Sequence, residues 1–203
     1  MFVVDAKGIR WNLMRDKKSN EWMDWIKIIV AALLIALIVR KFFFSPIIVD
    51  GPSMQPTLHD QDKMIVNKFV YYMKEPERFD IVIFHANNEK DFIKRVIGLP
   101  GEHIKVEDNV LYVDNKEVPQ SFLNIAEEEE DITYPIITND FTLENLKGNY
   151  DVIPENYFLV LGDNRKNSTD SRSSSVGLVH KDQIVGKTNF IYWPLERIHV
   201  VNK

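Results

Sequence analysis

The 203-residue chain contains no cysteine, which excludes a disulfide framework and a catalytic thiolate. It also lacks a basic excess, because 25 Lys and Arg stand against 30 Asp and Glu and the formal net charge is −5. The acidic run at residues 127–131 accounts for this imbalance, and we interpret it as a solvated loop. Nucleic-acid-binding domains usually present a clustered basic face, so no nucleic-acid partner is expected.

The sequence also lacks histidines at the spacing that metal ligands usually have. The chain has five histidines, at positions 59, 85, 103, 180 and 199, and they are scattered rather than grouped. Zinc sites usually draw on histidine or cysteine ligands that lie a few residues apart. We therefore interpret these histidines as structural or surface residues and expect neither a metal nor a cofactor.

Long apolar runs are scarce, and the chain has one, between Trp22 and Phe44. Its uncharged part, residues 28–39, is 12 residues long, which is short for a membrane span. Aromatic residues at both ends suit the two membrane interfaces, and the flanking Lys and Arg side chains are long enough to snorkel. As a helix, residues 22–44 would be about 34 Å long, enough to cross a bilayer.

Two other structures compete for this run. A buried core helix would not usually carry Lys27, Arg40 and Lys41 around an apolar stretch. A cleaved signal peptide should end in small residues, whereas this run ends in Phe-Phe-Phe-Ser-Pro. We favour an uncleaved, single-pass anchor at 22–44 behind a cytoplasmic tail at 1–21. The tail carries five Lys and Arg, so the positive-inside rule places the N-terminus in the cytoplasm and the chain after residue 45 outside the cell membrane.

Beyond residue 45 the pattern changes to short, β-branched runs bounded by turn residues, which predict strands. The predicted strands are 47–49, 63–67, 79–84, 91–97, 103–106, 109–113, 157–161, 183–185 and 187–193. Hairpin tips are predicted at 87–88 and 108–109. The fold class is therefore mainly β, with one N-terminal transmembrane helix followed by an antiparallel, sheet- or barrel-like domain. We assign 45–106 and 157–203 to that domain and 107–156 to a smaller inserted β subdomain.

The first chemical motif follows the apolar run and reads GPSMQPTL at residues 51–58. Each proline fixes its own φ near −65° and pushes the residue before it toward extended geometry. We therefore expect Ser53 on a stiff, extended and exposed backbone, which suits a nucleophilic hydroxyl. Glycine, proline and serine also form ordinary turns, and the segment alone does not decide between the two.

The second motif is FIKRVIGLPG at residues 92–101. Alternate residues of a strand share a face, so Lys94 should point with Phe92 and Val96, and Arg95 should point the other way. Desolvation among apolar neighbours lowers the pKa of a lysine toward neutrality, and a neutral lysine can act as the general base for a serine. The alternative is a lysine at a strand edge that deters aggregation.

The third motif, GDNRKNSTDSR at residues 162–172, follows the apolar strand predicted at 157–161. It concentrates acids, amides, hydroxyls and arginines in eleven residues. Such a segment is either a plain polar loop or a buried polar network, in which Asp–Arg pairs fix a hydroxyl that orients a base.

These segments, together with RFDIVIF at 78–84, lie in this order behind the anchor and resemble the sequence boxes of the type I signal peptidases (leader peptidases). The resemblance covers the anchor and most of residues 45–197. A single anchor with a short insertion is similar to the Gram-positive form of the family. One box alone would be a weak signal, whereas four boxes in order are specific.

The resemblance implies a role for each matching position. Ser53 matches the nucleophile, Lys94 the general base, and Ser168 the hydroxyl that hydrogen-bonds and orients the lysine. The positions of an ion-pair network are matched by Arg95, Asp163, Asp170 and Arg172. The walls of the substrate pockets are matched by Val49, Met54, Leu58, Phe92 and Ile93.

One position departs from part of the family. Some members carry a serine two residues before the nucleophile, and its hydroxyl helps to form the oxyanion hole. This chain has Gly51 there, and Pro52 has no N–H group. The oxyanion hole would then consist mainly of the Ser53 N–H, with Gly51 or a water as a further donor. Stabilisation of the oxyanion often contributes strongly to catalysis, and its strength in this chain stays open.

Taken as a whole, the resemblance implies a membrane-anchored serine endopeptidase with a Ser/Lys dyad, which removes signal peptides from exported preproteins after small residues of the Ala-Xaa-Ala type. The expected partners are signal-peptide-bearing preproteins and the lipid bilayer, and a monomer is expected. The run 69–73 is expected either to reach the bilayer surface or to pack in the β domain. A function of another class stays open: a catalytically silent, membrane-anchored β scaffold that binds export partners.

Overall fold

The structure, a computed structural model, describes residues 21–86, 90–123 and 137–201. Its helices are α1 (Glu21–Phe42) and α2 (Val70–Met73). Its strands are β1 (Phe44–Ile48), β2 (Lys63–Asn67), β3 (Ile81–His85), β4 (Asp91–Gly98), β5 (Ile104–Glu107), β6 (Val110–Val113), β7 (Lys116–Glu117), β8 (Phe141–Thr142), β9 (Tyr157–Leu161), β10 (Val179–His180), β11 (Ile184–Trp193) and β12 (His199–Val200). The chain divides into two units between Ile38 and Val39.

Helix α1 is apolar over nearly its whole length. An 18-residue window within Trp22–Phe42 has a mean hydropathy of 2.2 and no buried residue, and by length and composition the helix could cross a membrane. The predicted helix continued to Phe44, but α1 ends at Phe42 because Phe44–Ile48 pairs with β2 as a strand. Strand β1 lies at an edge of its sheet, where a proline such as Pro46 is tolerated.

The larger sheet carries the motifs and confirms the mainly antiparallel β fold. Its strand order is β1-β2-β11-β3-β4-β9-β10, and β12 also pairs with β11. The strands predicted at 63–67 and 157–161 coincide with β2 and β9. The two predicted at 183–185 and 187–193 form one strand, β11, with a register irregularity between Ile184 and Gly186. A Cβ at Gly186 would lie 2.5 Å from the Asn67 carbonyl oxygen, so the glycine marks a close backbone approach rather than a break.

The smaller sheet has the order β7-β6-β5-β8. Asp108 and Asn109 join β5 to β6 with φ values of 48° and 67°, which confirms the predicted hairpin tip because such turns need two residues at positive φ. The other predicted tip, at 87–88, lies outside the described residues. Strands β6, β7 and β8 fall in the predicted insertion, and the sheet also takes in β5. The extent of an inserted subdomain at 107–156 stays a prediction.

Two buried apolar clusters help to position the motifs. One is shared by the two sheets, because it joins Ile97 and Leu161 of the larger sheet to Ile104 and Leu111 of the smaller one. The other fixes the first motif to the larger sheet, since Met54 and Leu58 are buried in it. Its buried members are Val49, Met54, Leu58, Met64, Ile81, Ile191 and Val201.

Candidate active site

The first motif forms a compact turn that places Ser53, half-buried rather than exposed, beside strand β4. The Gln55 N–H donates to the Pro52 carbonyl at 3.1 Å, and the Leu58 N–H donates to the Met54 carbonyl at 2.9 Å. The extended backbone predicted for Ser53 is therefore wrong. The proline rule restricts the residue before each proline, which is Gly51 or Gln55, and it leaves the ψ angle of Ser53 free to turn.

Strand β4 brings Lys94 to this serine. The Lys94 Nζ lies 2.8 Å from the Ser53 Oγ and 2.8 Å from the Ile93 carbonyl oxygen. The side chain is buried, at 3 % exposure, and its Nζ lies 5.2 Å from the centre of the Phe92 ring. Lys94 thus lies against Phe92, on the same face as the buried Val96, as the strand alternation predicted.

Burial lowers the pKa of Lys94 to about 8, and the negative charges of Asp170 and Asp163 oppose this decrease in part. Desolvation is therefore the cause of the lower pKa, as expected from the apolar neighbours. At pH 7 about a tenth of the lysines would be neutral, compared with roughly one in a few thousand for a free lysine. The amine can therefore accept a proton at ordinary pH.

Arg95 points to the opposite face and forms a buried ion pair. Its Nε donates to the Asp163 Oδ1 at 2.9 Å and its Nη2 donates to the Asp163 Oδ2 at 2.7 Å, with neither side chain exposed. The Thr57 hydroxyl donates to the same carboxylate at 2.6 Å. Asp163 therefore ties together strand β4, the third motif and the turn that carries Ser53.

A second pair lies within the third motif. Arg172 donates to the Asp170 carboxylate through its Nε at 2.8 Å and its Nη2 at 2.7 Å, and the Gly162 N–H donates to it at 3.0 Å. Burial alone would raise the pKa of Asp170, but the hydrogen bonds and charge of Arg172, with the Gly162 N–H, outweigh it and keep that pKa below its usual value. The carboxylate therefore stays ionised.

A cleft of about 480 Å³ opens between the turn, the start of β4 and the third motif. Ser53 and Lys94 lie in its wall. Four of the residues predicted to wall the substrate pockets also line it: Val49, Met54, Phe92 and Ile93. The fifth, Leu58, has no exposed surface and lies in the apolar cluster with Met54, so it supports the wall from the core.

A family model described as "Signal peptidase, peptidase S26" matches residues 22–193 of this chain. The chain belongs to this family. "Signal peptidase I T" of Bacillus subtilis (strain 168) is 39% identical over 197 residues, which are 97% of this chain and 98% of the relative. "Signal peptidase IB" of Staphylococcus aureus (strain N315) is 40% identical over 179 residues, covering 87% and 92%. A solved signal peptidase I from Enterococcus faecalis V583 is 37% identical, with a TM-score of 0.48 over 56% of this chain and 97% of that chain.

In this signal peptidase family member, Ser168 does not make the predicted hydrogen bond to Lys94. The Ser168 Oγ is buried and meets no partner with hydrogen-bond geometry within the described ranges, but it lies near enough to the Asp170 carboxylate to help lower the pKa of that group. It lies very close to Gly162, because a Cβ there would be 2.2 Å from the Ser168 Oγ and 2.4 Å from the Ser53 carbonyl oxygen. The bare glycine therefore lets the third motif pack against the backbone of Ser53, and Ser168 lines the cleft beside the lysine.

Arg165, which is buried two residues after Asp163, was not predicted from the sequence as a site residue. Its Nη1 donates to the Thr138 hydroxyl at 2.8 Å and its Nη2 donates to the Gln120 Oε1 at 2.5 Å. Burial lowers the pKa of Arg165 to about 10. These contacts join the third motif to the region of the predicted insertion. One feature of the sequence indicated a role for Arg165, namely its position between two charged residues of the third motif.

Proposed function

We propose that this protein is a membrane-anchored serine endopeptidase that removes signal peptides from exported preproteins after small residues. Ser53 is the nucleophile and Lys94 is the general base. The observation that carries this proposal is the 2.8 Å contact between the Lys94 Nζ and the Ser53 Oγ in an open cleft of a signal peptidase family member. The names of the relatives, all called signal peptidase I, support the same substrate class.

The chemistry follows from the neutral form of Lys94. The Ile93 carbonyl accepts a hydrogen bond from one N–H of the neutral amine. The lone pair of the amine nitrogen can then accept the proton of the Ser53 hydroxyl. The Ser53 Oγ attacks the scissile carbonyl as Lys94 takes the proton, and Lys94 then protonates the leaving amine. The resulting ester is hydrolysed by a water that Lys94 deprotonates in the same way.

The start of β4 supports an extended substrate. The pairing of β4 with β9 begins at Arg95, whereas residues 91–94 pair with β3 alone among the described strands. The other edge of this segment can therefore accept a substrate backbone as an added strand. Alternate substrate side chains would then meet the walls formed by Val49, Met54, Phe92 and Ile93. Shallow apolar pockets of this kind admit small residues and reject large ones by steric clash.

The test of this function is cleavage of a whole preprotein by the purified full-length protein. We expect one defined cut after an Ala-Xaa-Ala type sequence, identified by mass spectrometry of both products. Binding of the preprotein without a defined cut would instead favour a catalytically silent scaffold.

The pH dependence tests Lys94 as the base. Since the neutral amine is the active form and the pKa is about 8, kcat/KM on a short peptide should rise about tenfold per pH unit up to about pH 8 and then level off. Lys94→Arg should be inactive across pH 5–10, because a guanidinium does not deprotonate in this range. Lys187→Arg is the matched control, since Lys187 pairs with Asp80 and does not line the cleft. A profile that is flat or falls between pH 6 and 9 would remove Lys94 as the base.

The proposed anchor gives a second test. Helix α1 ends at Phe42 and β1 begins at Phe44, so a truncated protein should lack residues 1–42 and keep β1. We expect it to cut short soluble peptides with nearly unchanged kcat/KM but to process membrane-bound preproteins poorly, because the anchor supplies local concentration. Both rates are compared with those of the full-length protein in the same detergent or vesicles. Loss of peptide cleavage by a folded truncated protein would mean that the helix contributes to the active site.

A further inference from the structure

The backbone around Ser53 offers few donors for the oxyanion that forms during acyl transfer. Pro52 has no N–H. The Gly51 N–H donates to the Asp60 Oδ1 at 2.8 Å, so the expectation that Gly51 supplies a further donor does not fit this structure. The Ser53 N–H makes no hydrogen bond to any part of the chain that is described. The direction of this one N–H group therefore matters for the reaction.

Asn164 holds the two peptide groups on either side of Ser53. Its backbone N–H donates to the Ser53 carbonyl at 3.1 Å, and its side-chain Nδ2 donates to the Pro52 carbonyl at 3.1 Å. The Pro52 carbonyl also accepts the Gln55 N–H at 3.1 Å, within the turn itself. Asn164 is not among the described residues that line the cleft, whereas Ser53 is.

The planar peptide links these contacts to the free N–H. In a trans peptide group the C=O and the N–H of the following residue lie in one plane and point in opposite directions. A hydrogen bond that fixes the Pro52 carbonyl therefore also fixes the Ser53 N–H. The Ser53 N–H therefore points away from the Asn164 amide that binds the Pro52 carbonyl, and Ser53 lines the cleft whereas Asn164 does not.

We propose that Asn164 is a positioning residue for the oxyanion hole: its side-chain amide fixes the Pro52–Ser53 peptide plane so that the Ser53 N–H faces the oxyanion. This inference rests on the proposed role of Ser53 as the nucleophile. Asn164 does not contact the substrate, and its effect passes through the orientation of one donor. Preorganised donors of this kind act mainly on the transition state and little on substrate binding.

The test compares Asn164→Ala, Asn164→Asp and the control Asn189→Ala in the full-length protein. Asn189 is exposed and makes no side-chain hydrogen bond within the described ranges. We expect kcat on a short peptide, measured on the alkaline plateau, to fall roughly 10- to 100-fold in both Asn164 variants, since small misplacements of catalytic groups cost factors of this size. Asn164→Asp keeps the shape but replaces the donor with an acceptor. The control should keep its full rate.

Two matched inhibitors separate positioning from general loss of structure. When a peptide aldehyde binds, the Ser53 Oγ forms a bond to the aldehyde carbon, the carbonyl π bond breaks, and Lys94 accepts the proton from the Ser53 hydroxyl. The aldehyde oxygen then occupies the oxyanion position. The peptide amide of the same sequence binds without this bond. In Asn164→Ala we expect affinity for the aldehyde to fall by about the same factor as kcat, whereas affinity for the amide stays within about twofold. The pH midpoint near 8 should not move, because Lys94 keeps its neighbours.

Each other outcome overturns the inference. Full kcat in Asn164→Ala would show that the Gln55 N–H alone fixes the peptide plane. Equal losses of affinity for the aldehyde and the amide, or a shifted pH midpoint, would assign Asn164 a general structural role. If Asn164→Ala does not fold, the isosteric Asn164→Asp decides by kcat and by the two inhibitor affinities, but not by the pH midpoint, because its added negative charge can itself raise the pKa of Lys94. Failure of the proposed function would give a different result from failure of this inference. If Ser53 were not the nucleophile, Ser53→Ala would still cut the peptide, whatever the Asn164 variants showed.

Discussion

Ser53→Ala and Lys94→Ala are each expected to abolish cleavage, with losses in kcat on the order of 10⁴-fold or more, as in other serine peptidases whose catalytic groups act as a unit. In the proposed mechanism, the first change removes the atom that forms the acyl-enzyme. The second removes the group that lies 2.8 Å from it and that is proposed to take its proton. Because the two residues act in the same step, the double variant should lose little more than either single variant.

The measurement is single-site cleavage of a short peptide at pH 8–9 by variants that retain the thermal unfolding profile of a folded protein. Ser53→Cys should retain part of the activity, since a thiol can replace the hydroxyl. Ser175→Ala is the matched control, because Ser175 is an exposed serine that bonds to its neighbour Ser173. Full activity in either alanine variant would disprove the dyad.

The second large effect concerns stability. Arg95→Met and Asp163→Asn should each lower the free energy of unfolding by about 3–5 kcal/mol, the usual cost of leaving one partner of a buried ion pair alone. Neither side chain has any exposed surface, so water cannot solvate the charge that remains. For a chain of this size the loss corresponds to a decrease in Tm of roughly 6–20 °C.

Thermal unfolding of the full-length protein in detergent measures this effect. The double variant Arg95→Met/Asp163→Leu should lose much less than the sum of the two single losses, because it leaves no unpaired charge. Lys105→Met removes a solvent-exposed pair with Glu107 and should leave Tm nearly unchanged. If Asp163→Asn unfolds within about 1 °C of the parent protein, the buried pair does not stabilise the fold in this way.

Local sequence patterns predicted those features of the structure that neighbouring residues determine. Strand β2 and strand β9 have the predicted bounds, since each is a short apolar run with turn or polar residues at its ends. The period of two residues also assigned Lys94 and Arg95 to opposite faces of β4 without knowledge of their partners. One strand, β11, was predicted as two, which were separated at Gly186.

The remaining contacts join residues far apart in sequence, which no local pattern specifies. The hydroxyl of Thr57 meets a carboxylate 106 positions away, and Arg165 reaches Gln120 across 45 positions. Asn164 meets Pro52 across 112 positions. The extended backbone was expected at Ser53, with an ordinary turn as the alternative, because two prolines suggested a stiffness that applies only to the prolines themselves and to the residues before them. The predicted bond from Ser168 to Lys94 came from family resemblance and is not formed here.

The burial of Lys94 also has a consequence for folding. Its pKa is about 8 in the folded protein and 10.5 for a free lysine, so below pH 8 the folded state holds a charged amine that the unfolded state would solvate better. This difference destabilises the native state by about 3 kcal/mol. Between pH 8 and 10.5 the unfolded state binds more protons, so the stability rises with pH and the penalty disappears above that window. An apolar residue at position 94 would therefore make a more stable protein at neutral pH, and selection for stability alone would remove the lysine that is proposed to activate Ser53.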